Sequence, residues 1–501
     1  MPEPLNLARH CLAAAGRSPG KTALLVAEGA QARIVETWTY ARAATAVLSA
    51  AAAFRAAGLA RGDRVLLRVG NTSRFPVLFF GAIAGGFVPI PTSTQLTADE
   101  AGWILADSRA ALVVHDGSGA LPADAGRAGV VEAGLVAESG LSPADFAETE
   151  RDDPAFLVYT SGTSGRPKGV LHAQRVILGR APMVRGWYGL TAEDRLFHAG
   201  AFNWTYTLGA GLMDPWVAGA TAIVHLGERP PEAWPDLIEA TGATLFAAVP
   251  GLYRRILKYA AVTPERMPAL RHGLVAGEAL KAGLHEDWTT RTGRPLYEAL
   301  GMSEISTYVS SGPEVPTRPG SPGKPQAGRR VAVLPAEGGP DPAPSGTTGL
   351  LAVHRSDPGL MLGYWGLPAE TAAAFRGDWF VTGDLARFDQ DGYLWYEGRA
   401  DDQMNAFGYR VAPEEVERAL ALHPAVAEVA VTEVPAGDVS LVTAFLVLHP
   451  GMTATEHDLA GHAARHLADY KRPRAWVVLE ELPRTASGKV LRRALRDMSP
   501  P

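Results

Sequence analysis

Helical runs alternate with short, continuously apolar segments near the start of this 501-residue chain. Residues 37–58 begin with threonine, are rich in alanine and end with glycine, which predicts a helix. RVLLRV (64–69) predicts a strand, FPVLFFGAIAGG (75–86) a buried helix and ALVVHD (111–116) a second strand. Strands without polar alternation are typical of parallel sheets that are covered on both faces. The alternation therefore predicts an α/β chain built from doubly wound, mostly parallel sheets.

A glycine- and hydroxyl-rich loop, YTSGTSGRPKGV (159–170), follows the predicted strand FLVY (156–159) and precedes HAQRVILGRA (172–181), which predicts a helix. Its glycines let backbone N–H groups approach an anion, its hydroxyls add donors and its lysine adds a positive charge. We therefore expect the loop to hold phosphate through Thr160, Ser161, Gly162, Thr163, Ser164, Gly165 and Lys168. An ordinary surface turn is the alternative. A P-loop NTPase is disfavoured because Pro167 stands where that motif requires glycine.

Composition argues against several classes of partner. Forty-seven basic and fifty-three acidic residues give a net charge of −6, which argues against a nucleic-acid binder. The single cysteine, Cys11, excludes an internal disulfide and a cysteine-based metal cluster. The apolar stretches 78–90 and 204–224 are too short or are interrupted by Asp214-Pro215, so neither predicts a membrane span. Because the N-terminus lacks a signal-peptide pattern, we expect a cytoplasmic protein with no membrane partner.

The 159–170 loop and the order of five later motifs resemble the acyl-adenylate-forming superfamily, which includes acyl-CoA synthetases, peptide-synthetase adenylation domains and luciferases. The later motifs lie at 297–304, 349–366, 379–386, 398–410 and 485–493. Within the superfamily they resemble AMP-dependent carboxylate–CoA ligases of the benzoate-CoA ligase or medium-chain acyl-CoA synthetase type. The resemblance implies a large N-terminal adenylate-forming domain (1–398) of doubly wound sheets with a β-rich subdomain. It also implies a small, mobile α/β C-terminal domain (399–501) that pivots at Asp401.

The resemblance also implies a nucleotide site. Two segments would line the adenine, namely Gly277, Glu278 and Ala279, and then Glu298, Ala299, Leu300, Gly301, Met302 and Ser303. Leu300 stands where relatives usually carry an aromatic that stacks on the base. Asp384 would bind the ribose hydroxyls, a role that suits a carboxylate, and the forked guanidinium of Arg399 would bind the same ribose or a phosphate. Glu304 would hold Mg²⁺, since a carboxylate beside a triphosphate is the hard oxygen ligand that this ion takes. Lys489 would contact the acid's carboxylate and the α-phosphate.

Two further sites are implied for the acid and for coenzyme A. The acyl pocket would contain His198, Phe202, Trp204, Tyr206 and Gly301, with an ordinary apolar core as the alternative for the aromatic cluster. Glycine at 301 replaces the tryptophan of acetate-specific relatives, which implies an acid larger than acetate. The stretch carries no aspartate to pair with an α-amine, so a benzoate-like or a short- to medium-chain aliphatic acid is expected rather than an amino acid. Gly408, Tyr409 and Arg410 would form the tunnel for coenzyme A.

The implied chemistry has two half-reactions that depend on the catalytic residues Lys489, Glu304 and Lys168. ATP and the acid first give acyl-AMP and pyrophosphate, and rotation about Asp401 then exchanges Lys489 for Gly408 so that coenzyme A takes the acyl group and AMP leaves. ATP, Mg²⁺ and coenzyme A are therefore expected, acetylation of Lys489 is expected to stop adenylation, and a homodimer is left open. Two alternatives stay open: a stand-alone enzyme that loads a carrier protein, and a nucleotide-binding homologue without catalysis.

Overall fold

A computed structural model of the chain describes residues 3–160, 167–400, 404–406, 409–437, 439–484 and 490–498. Its strands are β1 (Thr22–Glu28), β2 (Arg33–Thr39), β3 (Arg64–Arg68), β4 (Val88–Pro91), β5 (Leu112–His115), β6 (Gly129–Glu132), β7 (Pro154–Thr160), β8 (Lys168–Ala173), β9 (Arg195–His198), β10 (Thr221–Leu226), β11 (Leu245–Ala248), β12 (His272–Ala276), β13 (Leu296–Met302), β14 (Ser306–Ser310), β15 (Lys324–Pro325), β16 (Val331–Leu334), β17 (Gly349–His354), β18 (Gly363–Tyr364), β19 (Phe375–Arg376), β20 (Trp379–Phe388), β21 (Leu394–Arg399), β22 (Met404–Ala406), β23 (Tyr409–Val411), β24 (Val426–Ala436), β25 (Val439–Leu448) and β26 (Ala475–Val478).

The α-helices are α1 (Leu7–Cys11), α2 (Ala14–Arg17), α3 (Tyr40–Ala56), α4 (Arg74–Ala84), α5 (Ala98–Ser108), α6 (Ala133–Ala137), α7 (Val176–Gly179), α8 (Ala181–Gly186), α9 (Thr205–Leu208), α10 (Asp214–Ala218), α11 (Trp234–Thr241), α12 (Pro250–Tyr259), α13 (Ala282–Thr292), α14 (Pro368–Ala373), α15 (Pro413–Leu420), α16 (Glu456–His466) and α17 (Arg492–Arg496). A π-helical turn, Gly209–Met213, joins α9 to α10. Short 3₁₀ turns lie at Pro231–Ala233, Pro264–Arg266 and Asp469–Lys471. Within the described part of the chain, every helix is too short or too polar to cross a bilayer.

The largest sheet has nine strands in the order β15-β14-β13-β12-β11-β9-β10-β1-β2. Its centre, from β13 to β1, is parallel, and antiparallel strands close both edges. Neighbouring residues of β10 point into different cores: Ile223 joins the cluster built on α11–α13, and Val224 joins the cluster built on α3 and α4. Burial on both faces explains why these strands are continuously apolar.

A second, fully parallel sheet has the order β4-β3-β5-β6. The helix predicted at 37–58 is α3, which begins after Thr39, whose side chain accepts the Arg42 N–H as an N-cap. The buried helix predicted at 75–86 is α4, and both strands predicted in this region are present as β3 and β5. Two parallel sheets covered by helices confirm the doubly wound α/β prediction.

The segment after the predicted phosphate loop is a strand, so the helix prediction for 172–181 was wrong at its start. Strand β8 runs to Ala173 and pairs antiparallel with β7, with Thr160 opposite Lys168. It also pairs with β18 on its other edge. Because both edges of β8 are hydrogen-bonded to other strands, sheet pairing overrides the helical pattern of its sequence. Only the short helices α7 and α8 follow it.

Two smaller units complete the chain. A β-rich unit has the sheet order β16-β17-β20-β19, with β21 paired to β20, and its strands extend well past the predicted 313–349 stretch. The C-terminal part contains the β22–β23 hairpin, the sheet β24-β25-β26 and helices α15–α17. One apolar cluster of this part contains residues from Met404 to Trp476 alone, which supports the proposed boundary near residue 398.

Candidate active site

The predicted phosphate loop connects two strand ends that the structure places side by side. Thr160 ends β7 and Lys168 begins β8 directly opposite it. Ser161, Gly162, Thr163, Ser164 and Gly165 lie outside the described residues, so their contacts with phosphate stay a prediction. The Lys168 ammonium forms an ion pair with Glu370 of α14 and lies 5.2 Å from the centre of the Tyr364 ring.

Glu304, the predicted metal ligand, is buried close to the β7–β8 hairpin, which carries the predicted phosphate loop. Only 5% of the residue is exposed, and the Tyr364 hydroxyl donates a hydrogen bond to Glu304 Oε1 at 3.0 Å. Tyr364 therefore contacts both Lys168 and Glu304, which lie far apart in the chain. The motif at 349–366 marked the region of Tyr364 in the sequence, but nothing in the sequence assigned that bridging role to Tyr364 or a role to Glu370.

The two predicted ribose ligands lie opposite each other on neighbouring strands. Asp384 of β20 pairs in register with Arg399 of β21, and Asp384 is only 2% exposed. The Asp384 backbone N–H donates to the Thr382 hydroxyl at 3.2 Å. The side chain of Arg399 lies outside the described part, so its ligand is a prediction.

The strands that carry these residues share one apolar cluster. Val170 of β8, Met302 of β13 and Phe380 of β20 all belong to it. Lys168, Glu304 and Asp384 thus come from elements that pack on a common core, although they are far apart in the chain.

The two predicted adenine segments meet at the carboxyl edge of the main sheet. Strands β12 and β13 are parallel, and the exposed turn 277–279 follows β12 immediately, with Gly277 in the left-handed region at a φ of 95°. Glu298 Oε1 accepts the Leu280 backbone N–H at 2.9 Å, which ties the turn to β13. Burial raises the pKa of Glu298 to about 7, and the Leu280 hydrogen bond offsets part of that rise. The carboxyl edge of a parallel sheet is the usual place for a ligand in this architecture.

Most of the second adenine segment is inside the protein. Ala299 and Met302 are buried, and Leu300 packs partly buried against the cluster of Met302 and Phe380. The Ser303 hydroxyl lies 3.4 Å from the Thr205 hydroxyl, which brings this segment to the predicted acyl pocket. A Cβ at Gly301 would lie 2.5 Å from the Ser306 carbonyl oxygen, so the close approach of β14 requires glycine there. This backbone requirement is a second reason for Gly301, beside the space that it was predicted to leave for the acid.

The predicted acyl-pocket aromatics split into two groups. Phe202 is buried in the main core, where its ring stacks on Phe75 at 4.8 Å. His198, Trp204 and Tyr206 stay together, with the Tyr206 ring 4.3 Å from His198 and 5.2 Å from Trp204. Burial lowers the pKa of His198 to about 3, and Arg229 acts in the same direction. The imidazole is therefore neutral.

Tyr409, predicted to line the coenzyme A tunnel, connects the C-terminal part to this aromatic group. Its ring stacks on Trp204 at 5.4 Å and on Tyr470 at 4.3 Å. Gly408, Asp401 and Lys489 lie outside the described residues, as does the side chain of Arg410. Their proposed roles are therefore untested by the geometry.

A buried ion-pair group, missed by sequence reasoning, lies at the same contact between the two parts. Lys471 is 3% exposed and donates hydrogen bonds of 2.7 Å to Glu100 of α5 and to Glu415 of α15. Burial alone would lower the pKa of Lys471, but Tyr470, Glu415 and Glu100 together raise it. The ammonium is charged, and its 371-residue separation from Glu100 explains why no local pattern revealed the pair.

Metal binding would depend on few protein ligands. In the described part of the chain, no group of three or more His, Cys, Asp or Glu side chains is arranged to hold a metal ion. A single buried carboxylate such as Glu304 fits Mg²⁺, which takes most of its ligands from water and phosphate.

Comparison with known proteins gives matches along almost the whole chain. The family model described as AMP-binding enzyme matches residues 11–365, and the AMP-binding enzyme C-terminal domain matches residues 415–489. The chain is 34% identical to the benzoate–CoA ligase of Thauera aromatica over 481 residues, covering 92% of this chain and 90% of that protein. It is 32% identical to the 3-hydroxybenzoate–CoA ligase of Aromatoleum sp. (strain CIB) over 467 residues, covering 89% and 88%.

Two solved structures add to this. An o-succinylbenzoate CoA synthetase of Bacillus subtilis, a double mutant bound to its product analogue, matches with a TM-score of 0.87 at 25% identity, covering 100% of both chains. ATP-bound MatB of Rhodopseudomonas palustris matches with a TM-score of 0.74 at 29% identity, covering 99% of both chains. The extent of these matches, together with the residues gathered around Tyr364, shows that the chain belongs to the AMP-binding enzyme family and is an AMP-forming acid–thiol ligase that uses ATP and coenzyme A.

Proposed function

We propose that this ligase activates a benzoate-like aromatic acid as acyl-AMP and then transfers the acyl group to coenzyme A. The observation that carries the proposal is the position of Tyr364, which contacts both Lys168 of the β7–β8 hairpin and the Glu304 carboxylate. A cation and a buried anion held by one side chain are suited to a nucleotide phosphate and its metal ion.

The proposed roles of the chain's own residues follow from charge. Lys168 would exchange its ion pair with Glu370 for the phosphates of ATP, which carry more negative charge than one carboxylate. Glu304 would hold Mg²⁺, which when bound supplies positive charge to the phosphate oxygens. Asp384 would fix the ribose, and Lys489 would contact the acid's carboxylate during adenylation.

The aromatic nature of the acid is supported by the side chains around the proposed pocket. Trp204 and Tyr206 are in edge-to-face contact with each other, and Tyr206 is in edge-to-face contact with the neutral, buried His198. Flat rings pack well against such edges and faces. Two of the relatives are named as ligases of benzoate and 3-hydroxybenzoate. A short- to medium-chain aliphatic acid is the second candidate, because the same walls are apolar.

Coenzyme A as the acceptor is supported by the arrangement of the two parts of the chain. Tyr409 brings the C-terminal part against Trp204, at one wall of the proposed acyl pocket. The TM-score is higher for the synthetase bound to its product analogue than for the ATP-bound relative, despite lower sequence identity. We therefore propose that the structure has the thioester-forming arrangement. Since ATP and coenzyme A are intracellular metabolites and Cys11 is a free thiol, we place the enzyme in the cytoplasm.

A panel of acids tests the proposal. The purified enzyme is incubated with ATP, Mg²⁺ and either coenzyme A or a phosphopantetheinylated carrier protein, and AMP release is measured with benzoate, butyrate, octanoate and acetate. We expect release with benzoate and coenzyme A to exceed the others. A preference for the carrier protein would favour the loading enzyme, and acid-independent AMP levels with every substrate would contradict the ligase assignment.

A matched pair of lysine variants tests whether the ligase activity depends on Lys168 of the β7–β8 hairpin. Lys168→Gln removes the cation near Tyr364 and should lower benzoate-dependent AMP release by about tenfold or more. Lys258→Gln is the control, because the Lys258 ammonium lies 5.0 Å from the Tyr259 ring centre, a similar contact outside the proposed site. Equal activity in both variants would contradict the role of Lys168.

A further inference from the structure

The ion pair between Lys168 and Glu370 joins the start of β8 to the first turn of α14. Lys168 lies opposite Thr160, at the point where the predicted phosphate loop returns to the sheet. The Lys168 ammonium is 5.2 Å from the centre of the Tyr364 ring, and only 15% of the side chain is exposed. A cation that water reaches so poorly needs an anion beside it. Glu370 supplies that anion.

The two partners differ in exposure, which distinguishes this pair from the buried pair of the core. The Glu370 side chain is 41% exposed, and every residue of α14 is at least partly exposed. By contrast, the side chains of Arg180 and Asp214 are 5% and 1% exposed. Separating that core pair would leave two buried charges, whereas Glu370 can turn into water and leave only Lys168 in need of an anion. The Lys168 pair is therefore suited to an exchange of its anion.

Contacts of Thr371 keep Glu370 near Lys168 when the ion pair is open. The Thr371 hydroxyl accepts the Tyr364 backbone N–H at 2.9 Å and donates to the Leu367 carbonyl oxygen at 2.9 Å. These hydrogen bonds fix α14 to the strand that carries Tyr364, and neither of them involves the Glu370 carboxylate. The return of Glu370 to Lys168 is then an intramolecular step, which has a high effective concentration.

The charge of a competing ligand decides which anion holds Lys168. The phosphates of ATP carry several negative charges and form charge-assisted hydrogen bonds, so they can displace a single carboxylate. Pyrophosphate keeps most of that charge after adenylation, and its departure would leave the enclosed Lys168 ammonium without an anion. AMP lacks the two phosphates that leave, so it has no reason to compete for Lys168.

We propose that Glu370 is an internal competitor for the phosphate-binding cation, which yields Lys168 to the phosphates of ATP and takes it back as pyrophosphate leaves. This inference rests on the proposed function, since it concerns the phosphates that Lys168 would hold. Glu370 is then a positioning residue that acts through Lys168. It lowers the affinity for pyrophosphate and so favours the release of this product.

Equilibrium binding tests the exchange directly. The dissociation constants of the purified enzyme for pyrophosphate, with Mg²⁺ present, and for AMP are measured by isothermal titration calorimetry. Glu370→Gln keeps the size of the side chain and removes its charge. We expect this variant to bind pyrophosphate about three- to tenfold more tightly, because the ligand no longer displaces a carboxylate, and to bind AMP as the unmodified enzyme does. Pyrophosphate should also inhibit acid-dependent AMP release at correspondingly lower concentrations.

Two further variants separate exchange at Lys168 from other effects of the lost charge. Glu28→Gln removes a carboxylate of similar exposure, which pairs with Arg33 at 2.6 Å on the β1–β2 edge of the main sheet, and it should leave both dissociation constants unchanged. In the Lys168→Gln background, the addition of Glu370→Gln should no longer tighten pyrophosphate binding, because the cation for which the two anions compete is gone.

Equal pyrophosphate affinity in Glu370→Gln and in the unmodified enzyme would overturn the inference, and so would an equal gain in affinity for AMP. A gain that persists in the Lys168→Gln background would do the same, since it would come from a general electrostatic effect. In each of these cases, acid-dependent AMP release by the unmodified enzyme would leave the proposed function intact. Absence of that release with every acid would overturn the proposed function itself.

Discussion

At the residue scale, the ring and the hydroxyl of Tyr364 have separate contacts. The ring faces the Lys168 ammonium, whereas the hydroxyl donates to Glu304 at 3.0 Å. A hydrogen bond to a carboxylate contributes about 1.5–3 kcal/mol, more than one between neutral groups. The hydroxyl should therefore matter most for the position of the Glu304 carboxylate.

Replacing Tyr364 with phenylalanine separates the two contacts, because it removes the hydroxyl and keeps the ring. We expect Tyr364→Phe to slow acyl-AMP formation by about tenfold and to raise the Mg²⁺ concentration needed for half-maximal rate. The rate is measured as pyrophosphate release at a series of Mg²⁺ concentrations. The control is Tyr393→Phe, since Tyr393 likewise stacks on a cation, Arg318 at 3.8 Å, and donates its hydroxyl to a carbonyl oxygen outside the site. An unchanged Mg²⁺ dependence would separate Tyr364 from the metal site.

Glu298 gives a prediction about pH. Its folded-state pKa of about 7 lies above the ordinary value of 4.5, so the folded state binds the proton more tightly than the unfolded chain does. The protonated carboxyl contributes stability that is present below about pH 4.5 and is lost as pH rises through 7. At pH 8 the cost reaches about 3 kcal/mol. Glu298→Gln should remove most of this pH dependence in urea unfolding between pH 5 and 8, whereas the exposed Glu239→Gln should not. Identical slopes in both variants would mean that Glu298 is not the titrating group.

At the element scale, the segment from α9 through the π-helical turn to α10 is fixed to the α7–α8 junction by one buried ion pair. Arg180 and Asp214 share two hydrogen bonds of 2.7 Å, and the Tyr188 hydroxyl adds a third to Asp214 at 2.8 Å. A Cβ at Gly209 would clash with the Arg180 guanidinium, so the first residue of the turn must be glycine. The pair therefore positions the helical segment that follows Trp204 and contains Tyr206.

Breaking the Arg180–Asp214 ion pair should strongly lower the free energy of unfolding. Asp214→Asn keeps the shape of the side chain but leaves Arg180 buried without a counter-ion, which we expect to cost about 3–5 kcal/mol. Chemical unfolding monitored by circular dichroism measures the loss. Asp287→Asn breaks the exposed pair with Arg291, one helical turn apart, and should cost no more than about 0.5 kcal/mol. Similar losses in both variants would contradict the structural role of the Arg180 pair.

How far the sequence predicted this structure depends on whether a feature is local. Helix α3 could be predicted because its cap and its glycine are next to it in the chain. Glu304, Asp384 and the turn at Gly277 could be singled out because each lies in a short contiguous motif, and their roles as ligands stay predictions. The strand state of β8 could not be predicted, since it depends on pairing at both edges, with β7 on one side and on the other with β18, almost two hundred positions later. The partners Glu370, for Lys168, and Glu100, for Lys471, were equally hidden. Glu370 and Glu100 are ordinary surface-type residues until the fold brings them to a cation that is partly buried, in the case of Lys168, or buried, in the case of Lys471.

At the scale of the whole molecule, the arrangement of the two parts depends on a few contacts that sequence alone did not reveal. Trp204, Tyr409 and Tyr470 form a continuous aromatic stack across the contact. Beside it, Lys471 is shared between Glu415 of its own part and Glu100 of the N-terminal part. The bond to Glu415 would survive a rotation of the C-terminal part, whereas the bond to Glu100 would break. The Glu100 contact is therefore specific to this arrangement, which we propose to be the thioester-forming one.

Glu100→Gln tests this contact with little change to the fold. Glu100 also completes the capping box of α5, where its Oε2 accepts the Thr97 N–H, and glutamine can fill that role equally well. The substitution removes the charge that faces Lys471 and, with the amide oxygen kept on Thr97, leaves an NH2 group that cannot accept from the ammonium. We expect thioester formation from supplied acyl-AMP to fall by about tenfold, because a charge-assisted hydrogen bond to a buried ammonium is lost, while acyl-AMP formation stays near its original rate.

Arg474→Met is the control, since Arg474 pairs with Asp469 inside the C-terminal part. If both half-reactions of Glu100→Gln slowed equally, the pair would stabilise the fold in general and would not favour one arrangement. If thioester formation were unaffected, the aromatic stack alone would suffice to hold the two parts together.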